Sequence, residues 1–187
     1  MMLHPVPWYA CLASSALLCA CSPQAIQQPV HGTLQVHSST LVGGAIPDQG
    51  GCKGPGISPN VSWTDPPPGT QSLALIMDDR DSPVGHLHRH YFVHWLVFDM
   101  PADKRELTQA LPRQPLSDGT AQGRNDVGEF GYSGPCPGDG STHHYAITVY
   151  ALDRKLELPV DTKGQALLTA IDGHILARGE IVGTYAK

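Results

Sequence analysis

Charged residues are scarce in this sequence. Asp, Glu, Lys and Arg make up 16% of its 187 residues, against about a quarter in an average globular domain. The formal net charge is −5, which argues against the broad basic surface that nucleic-acid binding needs. We therefore expect no nucleic-acid partner. A site for one phosphate group is still compatible with this balance, because a small pocket can be polarised against the net charge.

Signature motifs of catalysis are also missing. The sequence contains no Gly-x-Ser-x-Gly elbow, no His-Glu-x-x-His motif and no Walker-type loop. An Asp–His pair without a placed nucleophile is at most part of a catalytic triad. Cys136 stands between two prolines, a setting that favours a structural role. We expect a protein that is not an enzyme and that uses no cofactor.

Glycine and proline, by contrast, are abundant, with 20 and 17 residues. This composition favours many turns over long helices. Apolar runs bounded by turn residues predict buried strands at residues 72–77, 92–100 and 145–152. Weaker patterns predict strands at residues 33–40, 61–63 and 179–185 and one helix at residues 162–171, with Asp161 or Thr162 as its N-cap. The predicted fold class is mainly β, a sandwich-like single domain with helices at its periphery.

The first 21 residues carry the features of an export signal. The stretch from residue 8 to residue 20 is apolar or small and too short to span a bilayer. It ends in Leu-Cys-Ala-Cys, which resembles a bacterial lipobox, although Cys19 is uncommon there and no Lys or Arg precedes it. An ordinary secretory signal and a buried strand are the alternatives. We expect a lipoprotein signal peptide at residues 1–20, lipidation of Cys21, a flexible tether at residues 21–36 and a domain at residues 37–187.

This reading places the protein in the bacterial cell envelope, held to a membrane by lipid. Ser22 is compatible with sorting to an outer membrane, facing the periplasm, in a Gram-negative cell. Export also bears on the two cysteines of the mature domain, Cys52 and Cys136. In an oxidising compartment they could form a disulfide, and two separate buried thiols are the alternative.

Four segments of the sequence carry a recognisable signature. Two of them are long: LALIMDDRDSPVGHLHRHYFVHWLVFDMPAD at residues 73–103 and GYSGPCPGDGSTHHYAITVYALD at residues 131–153. The others are Ser58-Pro59 followed by Trp63, and HILARGEIVGTY near the end of the chain. In this order they resemble the signature of the phosphatidylethanolamine-binding protein family, in its bacterial Raf kinase inhibitor-like branch. The resemblance covers roughly residues 50–186 and implies an antiparallel β-sandwich with a small anion pocket.

The resemblance also implies which residues form that pocket. They are Asp79, Asp81, His94, Gly134, Pro135, His143 and Tyr145. Histidine, tyrosine and the backbone of a Gly-rich turn supply hydrogen-bond donors to an anion. The aspartates would hold a histidine in its charged form or pair with the ammonium of a zwitterion. We expect a small phosphorylated or zwitterionic ligand. Arg80 and Ser82 depart from the family pattern, which usually has Pro and Ala there.

Two other functions stay open. His86, His88 and His90 alternate along a short segment, so on an extended chain they would share a face and could bind Zn²⁺ or Cu²⁺. The alternative function is thus an exported metal-binding protein, with a solvated polar loop as the plain explanation. Some members of the resembled family act as inhibitors of kinases or proteases, so an unidentified protein partner is also left open.

Overall fold

The computed structural model describes residues 32–83 and 92–187, and these ranges contain nine strands, one α-helix and a 3₁₀ turn at Asp48–Gly50. In chain order the elements are β1 Gly32–Thr33, β2 Val36–His37, β3 Val61–Trp63, β4 Ser72–Asp79, β5 Phe92–Pro101, β6 Glu106–Leu107, β7 Ala121–Gln122, β8 Thr142–Leu152, α1 Gly164–Ile171 and β9 Ile175–Ala186.

Six of the strands form one sheet in the order β1-β9-β8-β4-β5-β7. The three strands predicted from apolar runs lie side by side at its centre, with β4 antiparallel to both β5 and β8. Their side chains are apolar at consecutive positions because both faces of this part of the sheet are covered. β1 pairs with β9 in parallel, so the large sheet is mixed rather than purely antiparallel.

Two layers cover the central strands. On one face the three-stranded antiparallel sheet β2-β3-β6 packs against a core that includes Trp63, Leu75 and Trp95. On the other face α1 contributes Leu167 and Ile171 to a second core with Phe98. The predicted mainly β sandwich with a peripheral helix is confirmed.

The start of α1 differs from the prediction. The residue at its N-cap is Lys163, which makes no side-chain capping hydrogen bond. The hydroxyl of Thr162, one of the two predicted caps, instead donates to the carbonyl oxygen of Pro159 at 2.6 Å. Residues 159–162 therefore form a turn before the helix.

The packed core begins before residue 37, the predicted boundary between tether and domain. Within the stretch assigned to the tether, the side chain of Leu34 is 2% exposed in the main core. Its backbone N–H donates to the carbonyl oxygen of Arg178 at 3.0 Å, which continues the pairing of β1 with β9. A Cβ at position 179 would lie 2.0 Å from the carbonyl oxygen of Leu34, so Gly179 permits this close approach. Residues 32–36 belong to the domain.

The predicted signal peptide, Cys21 and the rest of the tether lie outside the described residues. Within residues 32–83 and 92–187, no helix has both the length and the apolar character needed to cross a bilayer.

Candidate ligand-binding site

A cavity of about 680 Å³ opens at one edge of the large sheet. Because β4 is antiparallel to its neighbours, its last residue lies beside the first residues of β5 and β8. Asp79 is in register with Phe92 on one side and with Tyr145 on the other. The antiparallel pairing thus brings together side chains that are far apart in the sequence. β5 and β8 thus lie in the same sheet, with β4 between them.

Asp79 and His143 form a buried ion pair at the base of the cavity. The distance from Asp79 Oδ2 to His143 Nδ1 is 2.7 Å, and their side chains are only 6% and 5% exposed. The other carboxylate oxygen of Asp79 accepts the backbone N–H of Asp81 at 2.9 Å. Burial alone would lower the pKa of His143, but the hydrogen bond and the charge of Asp79, assisted by Asp139, outweigh it and raise that pKa. His143 is therefore biased toward its charged form.

His94 is held in the opposite state. Its Nδ1 lies 2.9 Å from the carbonyl oxygen of Ser133, and because a carbonyl only accepts, Nδ1 must carry the proton. Burial lowers the pKa of His94, so the ring is biased toward neutral and its Nε2 is a hydrogen-bond acceptor. The cavity therefore contains one imidazole suited to donate and one suited to accept.

Tyr145 lies behind both imidazoles and does not line the cavity. Its ring makes an edge contact with His94 at 5.2 Å between centroids and is stacked on His143 at 6.3 Å. The residue is fully buried, and its hydroxyl makes no hydrogen bond with the residues that the structure describes. Burial, and then the charge of Asp79, raise the pKa of Tyr145. The structure gives Tyr145 the role of packing the two rings in place.

Two loops joined by a disulfide form another wall of the cavity. Cys52 and Cys136 are bonded, with their Cα atoms 5.3 Å apart, and both line the cavity. Of the two states left open for these cysteines, the structure has the disulfide. The N–H of Cys52 donates to the carbonyl oxygen of Pro135 at 2.9 Å. At Gly134, which lines the cavity, a Cβ would lie 2.6 Å from the carbonyl oxygen of Gly50, so a larger residue would push the loops apart.

Besides Tyr145, two other predicted pocket residues do not line the cavity. The carboxylate of Asp81 faces away from the cavity and accepts the backbone N–H and the ring Nδ1 of His144 at 2.6 Å and 2.8 Å. These hydrogen bonds lower the pKa of Asp81. Pro135 is buried and is not among the residues that line the cavity. Asp81 lies beyond the end of β4 and Pro135 lies in the loop before β8, so strand alternation does not set the direction of either side chain.

Of the two residues that depart from the family pattern, one lines the cavity and the other does not. Ser82 is buried and lines the cavity. Arg80 does not line it and instead pairs with Glu180 on β9, with 2.5 Å between Nη2 and Oε2. Its Nε also lies 3.6 Å from Asp78 Oδ1.

Three charged residues of the cavity were not predicted. Arg113 donates from Nη1 to Glu129 at 2.8 Å and from Nη2 to the carbonyl oxygen of Tyr132 at 3.0 Å. Asp139 lies 3.4 Å from His143 Nε2. Arg113 and Glu129 fall in loops with no regular pattern, so nothing in the sequence pointed to them. Asp139 stands four residues before His143 in a Gly-rich turn, and that spacing was the one available signal.

The alternative metal cluster, His86, His88 and His90, lies outside the described residues. In the part of the chain that the structure describes, no three His, Cys, Asp or Glu side chains are placed to hold a metal ion.

Comparison with known proteins identifies the fold and its relatives. The family model for phosphatidylethanolamine-binding protein matches residues 37–186. The chain belongs to this family. Among similar proteins, a UPF0098 protein of Aquifex aeolicus is 42% identical over 157 residues, covering 82% of this chain and 89% of the relative. A UPF0098 protein of Methanothermobacter thermautotrophicus is 39% identical over 145 residues, covering 77% and 92%.

Solved structures of the family agree. CT736 of Chlamydia trachomatis superposes with a TM-score of 0.72 at 36% identity, covering 83% of this chain and 99% of CT736. YbcL of E. coli superposes with a TM-score of 0.74 at 29% identity, with the same coverage of 83% and 99%. These matches confirm the family assignment and the fold that the sequence motifs predicted.

Proposed function

We propose that this member of the phosphatidylethanolamine-binding protein family is a non-enzymatic binding protein for a small phosphorylated headgroup that carries an amine. The observation that carries the proposal is the ion pair of Asp79 and His143. Asp79 occupies Nδ1 of the ring from behind and favours the imidazolium, so Nε2 donates from the cavity side. A charge-assisted hydrogen bond of this kind is suited to a phosphate oxygen.

The charge balance of the cavity favours a zwitterion over a bare anion. The described lining includes the carboxylates of Asp79, Glu129 and Asp139 against the cations Arg113 and His143. One negative charge is left over when His143 is protonated. A phosphate dianion alone would meet net repulsion, whereas a ligand with an ammonium group compensates for part of it. The volume of about 680 Å³ is in the usual range for small-molecule sites.

The same contacts support a non-catalytic role. Within residues 32–83 and 92–187, the nitrogens of His94 and His143 hydrogen-bond to a carbonyl and to carboxylates, and not to a hydroxyl or a thiol. Cys136 and Cys52, the cysteines that line the cavity, are bonded to each other and carry no free thiol. An imidazole without a paired nucleophile does not form the arrangement used in covalent catalysis.

The ligand proposal is tested by calorimetric titration with phosphoethanolamine. His143→Ala should weaken binding by about 1–3 kcal/mol, the loss expected for a hydrogen bond to a charged group. His144→Ala is the matched control, because His144 is the next residue of β8 and contacts Asp81 outside the cavity. Equal affinity of the wild type and His143→Ala would rule out this site, provided that thermal denaturation shows both proteins to be folded.

Export and lipid anchoring are part of the proposal and rest on the sequence of residues 1–21. The domain would then lie at a membrane surface, where it could also modulate a protein partner. Cys21→Ser should release the protein from the membrane fraction and abolish fatty-acid labelling. Cys19→Ser, two residues earlier, should leave both unchanged. Retention and labelling of the Cys21→Ser protein would contradict the anchor.

A further inference from the structure

Asp139 lies in front of the ligand-facing nitrogen of His143. Both of its carboxylate oxygens are 3.4 Å from Nε2, on the side of the ring opposite to Asp79. The two aspartates differ in setting, since the side chain of Asp139 is 58% exposed and that of Asp79 is 6% exposed. At 3.4 Å the hydrogen bond to Nε2 is weak, so a better acceptor can replace it.

The turn around Asp139 keeps its carboxylate in place and ionised. Asp139 Oδ1 accepts the N–H of Ser141 at 2.9 Å and the hydroxyl of Ser141 at 2.7 Å. These hydrogen bonds lower the pKa of Asp139 to about 2. Gly140, with a φ of +76°, allows the chain to turn between the two residues. A negative charge is therefore present at this point of the cavity across the physiological pH range.

Among the residues that the structure describes, Asp139 has no cationic partner of its own, unlike Glu129, the other exposed carboxylate that lines the cavity. Glu129 lies 2.8 Å from Arg113, which neutralises it within the rim. Asp79 is neutralised by His143 at the base. Asp139 shares that same imidazolium from its other side, so the net negative charge of the described lining is concentrated beside Nε2. A phosphate that binds Nε2 must sit against this carboxylate.

We propose that Asp139 determines ligand selectivity, by competing with simple phosphate anions for His143 and by pairing with the ammonium group of zwitterionic phosphate compounds. This inference rests on the proposed function, and it adds which class of phosphate compound the cavity rejects. The competition and the attraction have one origin, because the same carboxylate repels a phosphate dianion and stabilises an adjacent cation.

The test compares two ligands that differ in one group. Ethyl phosphate and phosphoethanolamine share the phosphate and the two-carbon chain, and only the second has the ammonium. Each is titrated calorimetrically into the full-length protein at constant ionic strength. Asp139→Asn removes the charge but keeps an oxygen that accepts the N–H of Ser141, so the turn is preserved.

Asp118→Asn is the matched control. Asp118 also accepts a backbone N–H two residues on, that of Thr120 at 2.9 Å, and its pKa is also lowered to about 2. It does not line the cavity. The control therefore removes the same charge from the same kind of turn elsewhere on the domain, where the other oxygen of Asp118 pairs with Lys104.

We expect Asp139→Asn to bind ethyl phosphate at least about threefold more tightly than the wild type, which is the size of effect usual for removing a partly exposed charge. Its affinity for phosphoethanolamine should stay level or fall, and Asp118→Asn should match the wild type with both ligands. An unchanged ratio of the two affinities in Asp139→Asn would overturn the selectivity role while leaving the binding function intact. A wild type that binds neither compound would overturn both proposals.

Discussion

His94 and His143 both line the cavity, yet their surroundings move the pKa values of the two imidazoles in opposite directions. Burial lowers the pKa of His94, while Asp79 and Asp139 outweigh burial and raise that of His143. We predict that in a pH titration followed by NMR of the ring protons, His143 titrates above 6.5 and His94 below it. Single substitutions to Gln identify the two signals, and the reverse order would contradict the site geometry.

The cause of the difference can be tested directly. Asp79→Asn should bring the pKa of His143 down toward or below 6.5, because the carboxylate that favours the imidazolium is gone. Asp81→Asn should leave it nearly unchanged, because Asp81 pairs with His144 instead. Since the folded pKa of His143 is raised, anion binding through Nε2 should be strong at low pH and decline as the pH rises through that pKa. The stability from the Asp79–His143 pair should follow the same direction.

At the level of elements, the sequence predicted the parts of the site that strands carry. The runs that became β4, β5 and β8 are apolar, continuous and bounded by turns, and the residues at their ends are Asp79, His94 and His143. Knowing the strands and their antiparallel pairing is enough to bring those ends together. Orientation was harder to predict for Asp81, which lies beyond the end of β4, where strand alternation no longer applies simply.

Loops were less predictable, for a physical reason. The contact between Arg113 and Glu129 depends on the path of two irregular segments, and no periodicity specifies that path. Strands of two residues, such as β6 and β7, are equally hard to predict, because two residues show no periodicity. Leu34 falls both in the weakly predicted strand at residues 33–40 and in the stretch assigned to the tether, so the sequence did not show that it was part of the core.

The disulfide joins the two loops that form one wall of the cavity, and the loss of stability expected on removing it can be calculated. It closes a loop with a sequence separation of 84 residues, for which the chain-entropy model gives about 4–5 kcal/mol of stabilisation. We predict that the double variant Cys52→Ala/Cys136→Ala unfolds at a lower denaturant concentration, with a loss of about 2–5 kcal/mol. Reduced wild-type protein should behave like the variant. An unchanged midpoint would mean that other contacts hold the two loops together.

At the scale of the whole molecule, the N-terminal segment ties the large sheet to the core. Leu34 is 2% exposed between the two sheets. We predict that Leu34→Ala lowers the free energy of unfolding by about 2–5 kcal/mol, as for other buried leucines. Val42→Ala is the control, because Val42 is 72% exposed and should change stability by less than about 0.5 kcal/mol. Equal unfolding curves for Leu34→Ala and the wild type would show that residues 32–36 do not contribute to the folded domain.

The central strands carry duplicated residues where they meet the cavity. Asp78 precedes Asp79 on β4, and His144 follows His143 on β8, with one member of each pair on either face of the sheet. A one-residue deletion or insertion in either strand would thus present the same kind of side chain to the cavity. It would also turn every apolar residue of that strand to the opposite layer. Such length changes are therefore opposed by the packing of the two cores and not by the chemistry of the site. The polar residues at the cavity would thus tolerate a one-residue shift in strand register, whereas the apolar residues of the two cores would not.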